Sequence, residues 1–541
     1  MIWFALATAA SASSLAPGET VPDAVAVQLS EDGLNGLGEL VPALLPSPTV
    51  IDDTSDAIDL WICDLSYWLE NLWVGMELQE ATITPNYGTL TLEAEIDVWI
   101  NDSSDKARIG LDLCGATTDC GLYVDPFPVY VTMDMALGVV EVDGVSTIDV
   151  TLGSFDVDYD LAGNDLNIDG CWVEYLELLY DVIIGLADGA IQGAISSLAG
   201  DLEQQLEDAF SQLAISEQVE VTDGVVLDIE LYPGDLDLTP EGMELVLSGS
   251  ASAEASECIA AWDPGVSEAV DSDRPALDPN REVLALVSDE FTNQLLYAAW
   301  RSGLLCYELA EFDALSLDSS ILSLLVGDAF DDLFPDTVPI LIQTMPKAPP
   351  TGAFDMGDDV TLDVKELGLN IFAEVDGRMA KTLGLSLDAE VGMDLDFDGT
   401  TGELGMALDI DPDRMVATVT DNELAAGTDA QIEDNFGSFI EGTVLPLVDT
   451  LLGDALAFAL PGFEGVGLTS LQLSAEGGGD WLGAEAALGA VPYEGGCSDK
   501  KGKDGGCGGG CSGGCATSEG RMRTTLLILF PLGLALLRRR R

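Results

Sequence analysis

From Thr89 the chain alternates. Leu90, Leu92, Ala94, Ile96, Val98 and Ile100 fall on one side, and Thr91, Glu93, Glu95 and Asp97 on the other. A period of two with one apolar and one acidic face predicts a half-buried antiparallel strand. The same period recurs over residues 129–139, 148–152 and 155–161, and Asp143-Gly144 between two of these runs reads as a hairpin turn. Such strands make an antiparallel meander. From Trp172 the period changes. Leu176, Leu179, Ile183, Ala187, Ala190, Ala194, Leu198, Leu202, Leu206, Ala209 and Leu213 are spaced by threes and fours, which predicts helix. Gly185, Gly189 and Gly193 form a small-residue stripe within it, expected to lie close against a curved sheet. Asp181, Asp188 and Gln192 argue against placing that helix in a bilayer. Strands return at 225–231, 236–238 and 243–247, while 27–45, near the N-terminus, reads as a helix broken by glycines and Pro42.

Residues 262–280 are rich in Pro, Asp and Ser and lack periodicity, as expected of a linker between domains. A compact unit follows. Residues 283–287 are a short apolar run, and Ser288 suits a helix N-cap whose hydroxyl takes an orphan backbone N–H. Asp289 and Glu290 place carboxylates at the positive end of the helix dipole. Phe291, Leu295, Ala298 and Ala299 share one face, widened by Leu296 and Trp300, and Gly303 is placed to end the helix. The plan of the first half then recurs, with Phe334-Pro335, a strand over 338–345, a break at Pro349-Pro350, and alternation at Leu369, Ile371, Ala373 and Val375. Alternation continues over 383–397 and 404–410. A helix-like run over 436–460 and a last strand over 468–473 complete this half.

Ser288, Asp289, Asn293, Gly303 and Leu305, together with Phe334-Pro335 and Pro349-Pro350, resemble the opening of the second domain of a known family. It is the family of bactericidal/permeability-increasing protein, lipopolysaccharide-binding protein and cholesteryl ester transfer protein. The resemblance implies an α+β fold with two successive tubular lipid-binding domains, each a long, highly twisted antiparallel sheet wrapped around long apolar helices. The first would span 13–261 and the second 281–493, with 262–280 between them. It further implies acyl-chain ligands in apolar grooves. Leu179, Ile183, Ile191 and Ile195 are the candidate lipid contacts in the first domain, and Phe291, Leu295 and Trp300 in the second. All seven are equally what a plain core would contain.

Charge changes the picture most. Only 19 Lys and Arg stand against 97 Asp and Glu, giving a formal net charge of −78, and nine of the 19 lie after Asp499. So negative a surface repels phosphate backbones, so nucleic acid is excluded as a partner. The acidity is read as a solvated surface, with cation binding as the functional alternative. Residues 13–250 hold only Lys106 and Arg108, too few to meet an anionic headgroup as lipopolysaccharide-binding members of the family do. The chain has no histidine, which removes Ser-His-Asp and Cys-His catalysis and His-ligated metals. No cofactor, metal or enzymatic activity is expected. Asp394–Gly399 starts like a calcium loop, but Gly405 stands where a bidentate Glu is required, so a strand entering a hairpin is the better reading. Asn101-Asp102-Ser103 is an N-x-S glycosylation sequence.

The ends point to export. An apolar run at 2–10 and Ala10-Ser11-Ala12 resemble a signal peptide spanning 1–12. At the other end, 494–523 is a Gly/Cys-rich linker, and 524–541 is a 14-residue uncharged run closed by four arginines. This arrangement resembles a myxobacterial-type C-terminal sorting tail, which implies anchoring at the cell surface or outer membrane, with Cys511 or Cys515 as the attachment point. The six body cysteines suggest disulfides in an exported chain. Proximity favours Cys114–Cys120, Cys258–Cys306 would tie the linker to the helix, and Cys63–Cys171 remains. The function expected is a secreted, surface-anchored, non-catalytic lipid-binding or lipid-transfer protein. The alternative is an acidic structural or adhesive protein that binds no lipid.

Overall fold

The structure is a computed structural model. It describes residues 13–490 apart from 39–48, 60–63, most of 171–213, 270–272, 326–333, 355–359, 400–402, 423–426, 441–456, 460–465 and shorter gaps. The signal-peptide and sorting-tail readings therefore lie outside the described residues. Among those described, three sheets dominate, and every pairing in them is antiparallel.

A seven-stranded sheet lies at the centre. Its order is Ile215–Thr222, Val225–Thr239, Gly242–Ser252, Val21–Ser30, Val283–Ser288, Trp481–Ala490 and Val466–Glu476. Val21–Ser30 and Val283–Ser288 are neighbours, paired from Val25↔Val287 to Leu29↔Val283. A hairpin flanks each of them. Each ends in a serine that caps the next helix: Ser30 Oγ accepts the Gly33 N–H at 3.2 Å, and Ser288 Oγ accepts that of Phe291 at 3.2 Å. Five residues beyond each serine an asparagine holds a strand outside this sheet. Asn35 Oδ1 accepts the Ile83 N–H at 2.9 Å, and Asn293 Oδ1 that of Gly352 at 2.7 Å. The repeated plan expected from sequence is thus present as two strand–cap–helix units facing each other across one sheet.

The helix expected over 27–45 is corrected here. Val21–Ser30 is a strand and Glu31–Gly38 is helical, while 39–45 lie outside the described residues. Val25, Ala26, Gln28 and Leu29 are all buried, because both faces of this strand are covered. A doubly covered strand carries no alternation, so its pattern reads as a helix.

The nine-stranded sheet holds the predicted meander. Leu90, Leu92, Ala94, Ile96, Val98 and Ile100 are each 8% exposed or less, as the alternation requires. The runs at 148–152 and 155–161 share one strand, Val145–Asp158, interrupted by a bulge between Leu152 and Phe155. The runs at 225–231 and 236–238 are likewise one strand with an irregularity between Pro233 and Asp235. The eight-stranded sheet is built on Val360–Val375 and Arg378–Asp398. Asp394, Asp396 and Asp398 lie in that last strand, paired with Glu403–Asp409, so the hairpin reading holds. Residues 457–459, expected as helix, instead pair as a strand with Glu403–Gly405.

The 262–280 segment is ordered along the body where described. Ser267–Ala269 pairs with Ser13–Leu15. Arg274 pairs with Glu244 and Asp23, and Arg281 with Glu476 and Glu485. Pro275 O accepts a bond from Gln28 Nε2. Ala26, Val246, Leu284, Leu286 and Trp481 form a small core within the central sheet.

Candidate functional site

Helix Asp289–Arg301 is built as its sequence predicts. Ser288 caps the start, and Gly303 (φ 88°) closes the end, with Leu304 N–H bonding Ala299 O and Gly303 N–H bonding Trp300 O. Its apolar face is fully used in packing. Phe291 and Leu295 are 3% exposed, in the core between the central and nine-stranded sheets. Trp300 is 0% exposed and turns elsewhere. It stacks on Tyr297, packs with Ile259 beside the Cys258–Cys306 disulfide, and donates its indole N–H to Pro346 O at 3.1 Å. The structure therefore does not bring Phe291, Leu295 and Trp300 together as one lining.

In the first half, the described residues among 184–204 are helical, in line with their spacing. Ile191 and Ile195 are buried in a second core with Ile96, Val98, Ile109 and Leu122 of the nine-stranded sheet. The glycine stripe, however, does not face that sheet. Gly185, Gly189 and Gly193 are exposed, and no described atom lies within 4 Å of a Cβ added to any of them. The sheet-facing side is the isoleucine side, because burial there removes more apolar area than glycine could. Asp188 accepts the Tyr159 hydroxyl, and burial first, then Asp188, pushes that phenol up to about 12. Leu179, Ile183, Cys63, Cys114, Cys171, Cys511 and Cys515 lie outside the described residues. Cys120 is disulfide-bonded, and Cys258–Cys306 is joined as expected.

The feature that joins these parts was not singled out by sequence. On the inner face of the nine-stranded sheet, cross-strand partners line up in rows. Ile83, Leu92, Met133 and Phe155 form one row, and Ala81, Ala94, Val131 and Val157 form the next. The first row belongs to the central-sheet core, except Phe155; most of the second belongs to the distal core. Ala81 packs against both cores, and Phe155 is 37% exposed. The boundary between the cores thus falls between these two rows, which run across four strands.

Both rows end at an edge strand. Among the described residues, Val145–Asp158 pairs only with Ala116–Val142. Along its inner face, burial fades from Ile148 and Val150 (2% and 1% exposed) to Phe155 (37%). The bulge at Gly153-Ser154 is fixed from outside. Ser154 and Thr91 donate hydroxyl bonds to Asp134, which together hold that carboxyl below its usual range. The signal available in sequence was Ala94, the one small residue in an otherwise bulky inner row.

Asn101 is 1% exposed, and its amide donates to Asn71 O and Asp105 O at 2.9 Å each, so the N-x-S sequence presents no acceptor. No group of three or more metal-ligating side chains occurs among the described residues. No described helix is long and apolar enough to cross a membrane. Lys106 is paired with Asp169, and Arg108 with Glu70 and Asp119, so both cations of residues 13–250 are engaged.

No protein-family model and no curated protein matches the chain. Solved structures do. The structure of P47 of Clostridium botulinum E1 aligns over 86% of this chain and 99% of its own at 10% identity, but with a TM-score of 0.23 it supports no conclusion. The crystal structure of lipopolysaccharide binding protein aligns over 87% of this chain and 100% of its own, at 14% identity and a TM-score of 0.50. Antiparallel sheets and few helices agree with that match. Along most of its length, the chain has the fold of lipopolysaccharide binding protein.

Proposed function

We propose that this protein binds lipid, holding acyl chains along the boundary between its two first-half cores, and that it does so without catalysis. The observation that carries the reading is the row Ile83, Leu92 and Met133, which meets the surface at Phe155. An inward-facing aromatic left 37% exposed on an edge strand lacks the cover given to its neighbours, and apolar clefts of this kind are default ligand sites. The shared fold adds support, since the solved protein is named for binding a lipid. Two successive tubular domains, export, and anchoring through the 524–541 tail with Cys511 or Cys515 belong to the same proposal. The Cys258–Cys306 disulfide supports an oxidising compartment. Native mass spectrometry of the purified protein tests the reading. Co-purified or added lipid should appear as a stoichiometric mass increment. Protein that stays lipid-free and binds no fluorescent fatty acid favours the structural or adhesive alternative instead.

A further inference from the structure

Strands Val466–Glu476 and Trp481–Ala490 of the central sheet are joined by a turn of three glycines and Asp480. Gly477, Gly478 and Gly479 have φ of 62°, 92° and 107°, a region that residues with side chains rarely adopt. Three such residues in a row make a hinge that can swing with little steric hindrance. In the structure this hinge is closed. A Cβ on Gly479 would lie 2.8 Å from Phe354 O, and one on Gly477 3.0 Å from the Trp481 ring. A backbone bond, Asp289 N–H to Asp480 O at 3.0 Å, ties the turn to the start of helix Asp289–Arg301. Trp481 and Leu482, which follow the turn, are 1% and 4% exposed.

The closed corner buries one carboxyl group against another. Asp289 is 8% exposed, its Oδ1 has no hydrogen-bond partner, and the Asp480 carboxylate is near enough to repel its charge. Burial first, then Asp480, raises the Asp289 carboxyl to about 6. Among the described residues, the cations of neighbouring elements are bound elsewhere. The 262–280 segment, which reaches the turn at Asp273 O and Gly477, carries Asp273, Asp278 and Arg274, and Arg274 pairs with Asp23 and Glu244. Arg281 pairs with Glu476 and Glu485. Glu290 adds a carboxylate on the helix, and Thr351–Ala353 carries no charged residue. A proton on Asp289 removes the buried charge and supplies a hydrogen-bond donor in its place. Without that proton, the cost of the pair is relieved when Asp480 swings out and water enters.

We infer that Asp289 and Asp480 form a proton-operated latch. The corner stays closed while Asp289 holds a proton, and swings open at the glycine hinge when both carboxyls are charged. The closed-state value lies above the ordinary one, so closure is fully favoured below about pH 4 and is lost as the pH rises through about 6. Hydrogen exchange of the full chain, corrected for the intrinsic pH dependence of exchange, tests this at the backbone amide of position 289. Its protection should fall roughly tenfold from pH 5 to pH 7.5. At pH 7.5 it should exchange at least about tenfold faster than the amides of residues 92–96, because the opening is local. In Asp289→Asn the fall should vanish. In Asp480→Asn it should shrink, because burial alone then acts on Asp289. Constant protection in the parent, or a fall as large in either variant as in the parent, overturns the latch. So does protection equal to that of residues 92–96 at pH 7.5, which would mean that the corner opens only when the whole chain unfolds.

Discussion

At the residue scale, the most consequential side chain is Asp289. It opens a helix capped at both ends, yet it is 8% exposed and its Oδ1 has no hydrogen-bond partner. Burial first, then the nearby Asp480 carboxylate, raises its pKa to about 6. The folded value lies above the unfolded one, so the folded chain binds the extra proton. Asp289 therefore adds no penalty below about pH 4, and stability is lost as the pH rises from there through about 6. Asp289→Asn should be more stable than the parent at pH 7.5 by about 1–2 kcal/mol, and equal to it at pH 4. Urea midpoints measured for both proteins across pH 4–7.5 check this, and a constant difference would refute it. The sequence showed an acidic residue in a first turn, a routine placement. Its burial depends on the turn that carries Asp480, some 190 residues away, and no local pattern carries that information. Asn101 is the same lesson reversed: an N-x-S sequence looks accessible until Asn71 and Asp105 claim its amide.

At the element scale, local rules went far. The cap, face and stop of Asp289–Arg301 were readable, as was the alternation from Leu90 to Ile100, because each depends on residues a few positions apart. Val21–Ser30 was misread because burial on both faces removes the alternation that marks a strand. The glycine stripe at 185–193 was assigned to the wrong face, since small residues fit a close approach but do not cause one. Two predictions belong here. The Cys258–Cys306 bond closes a loop with a sequence separation of 48 and pins the start of the 262–280 segment to the end of helix Asp289–Arg301. Replacing both cysteines by serine should cost about 2–4 kcal/mol by loop-closure arguments, measured as a fall in the urea midpoint with unchanged circular dichroism. The boundary between the cores allows a sharper experiment. Ala94→Leu adds a branched side chain there, where Ala94 is 8% exposed. Overpacking should cost about 1–3 kcal/mol, and acyl-probe binding should be lost. Large destabilisation with probe binding retained would place the ligand elsewhere.

At the scale of the whole molecule, the central sheet decides how the chain behaves. Sequence placed a boundary at 262–280, where periodicity stops. The strands on either side of that segment nevertheless pair with each other, Val21–Ser30 against Val283–Ser288, in the middle of one sheet. Pairings this distant leave no trace in composition, because register is set by partners hundreds of residues away. The segment is also tied to both flanks, through Arg274 to Glu244 and through Arg281 to Glu476 and Glu485. Separating the halves would expose two long inner edges, each with unpaired backbone groups and apolar side chains such as Val25, Ala26, Leu284 and Leu286. Fragments 13–270 and 271–490 expressed alone should therefore aggregate or remain unfolded. Expressed together, they should recover as a one-to-one complex that melts in a single transition. Size-exclusion chromatography and calorimetry of the three preparations decide the matter. Two fragments that each fold as soluble monomers would show that the shared sheet contributes little, and that the seam between the halves is a contact between independent bodies rather than the core of one.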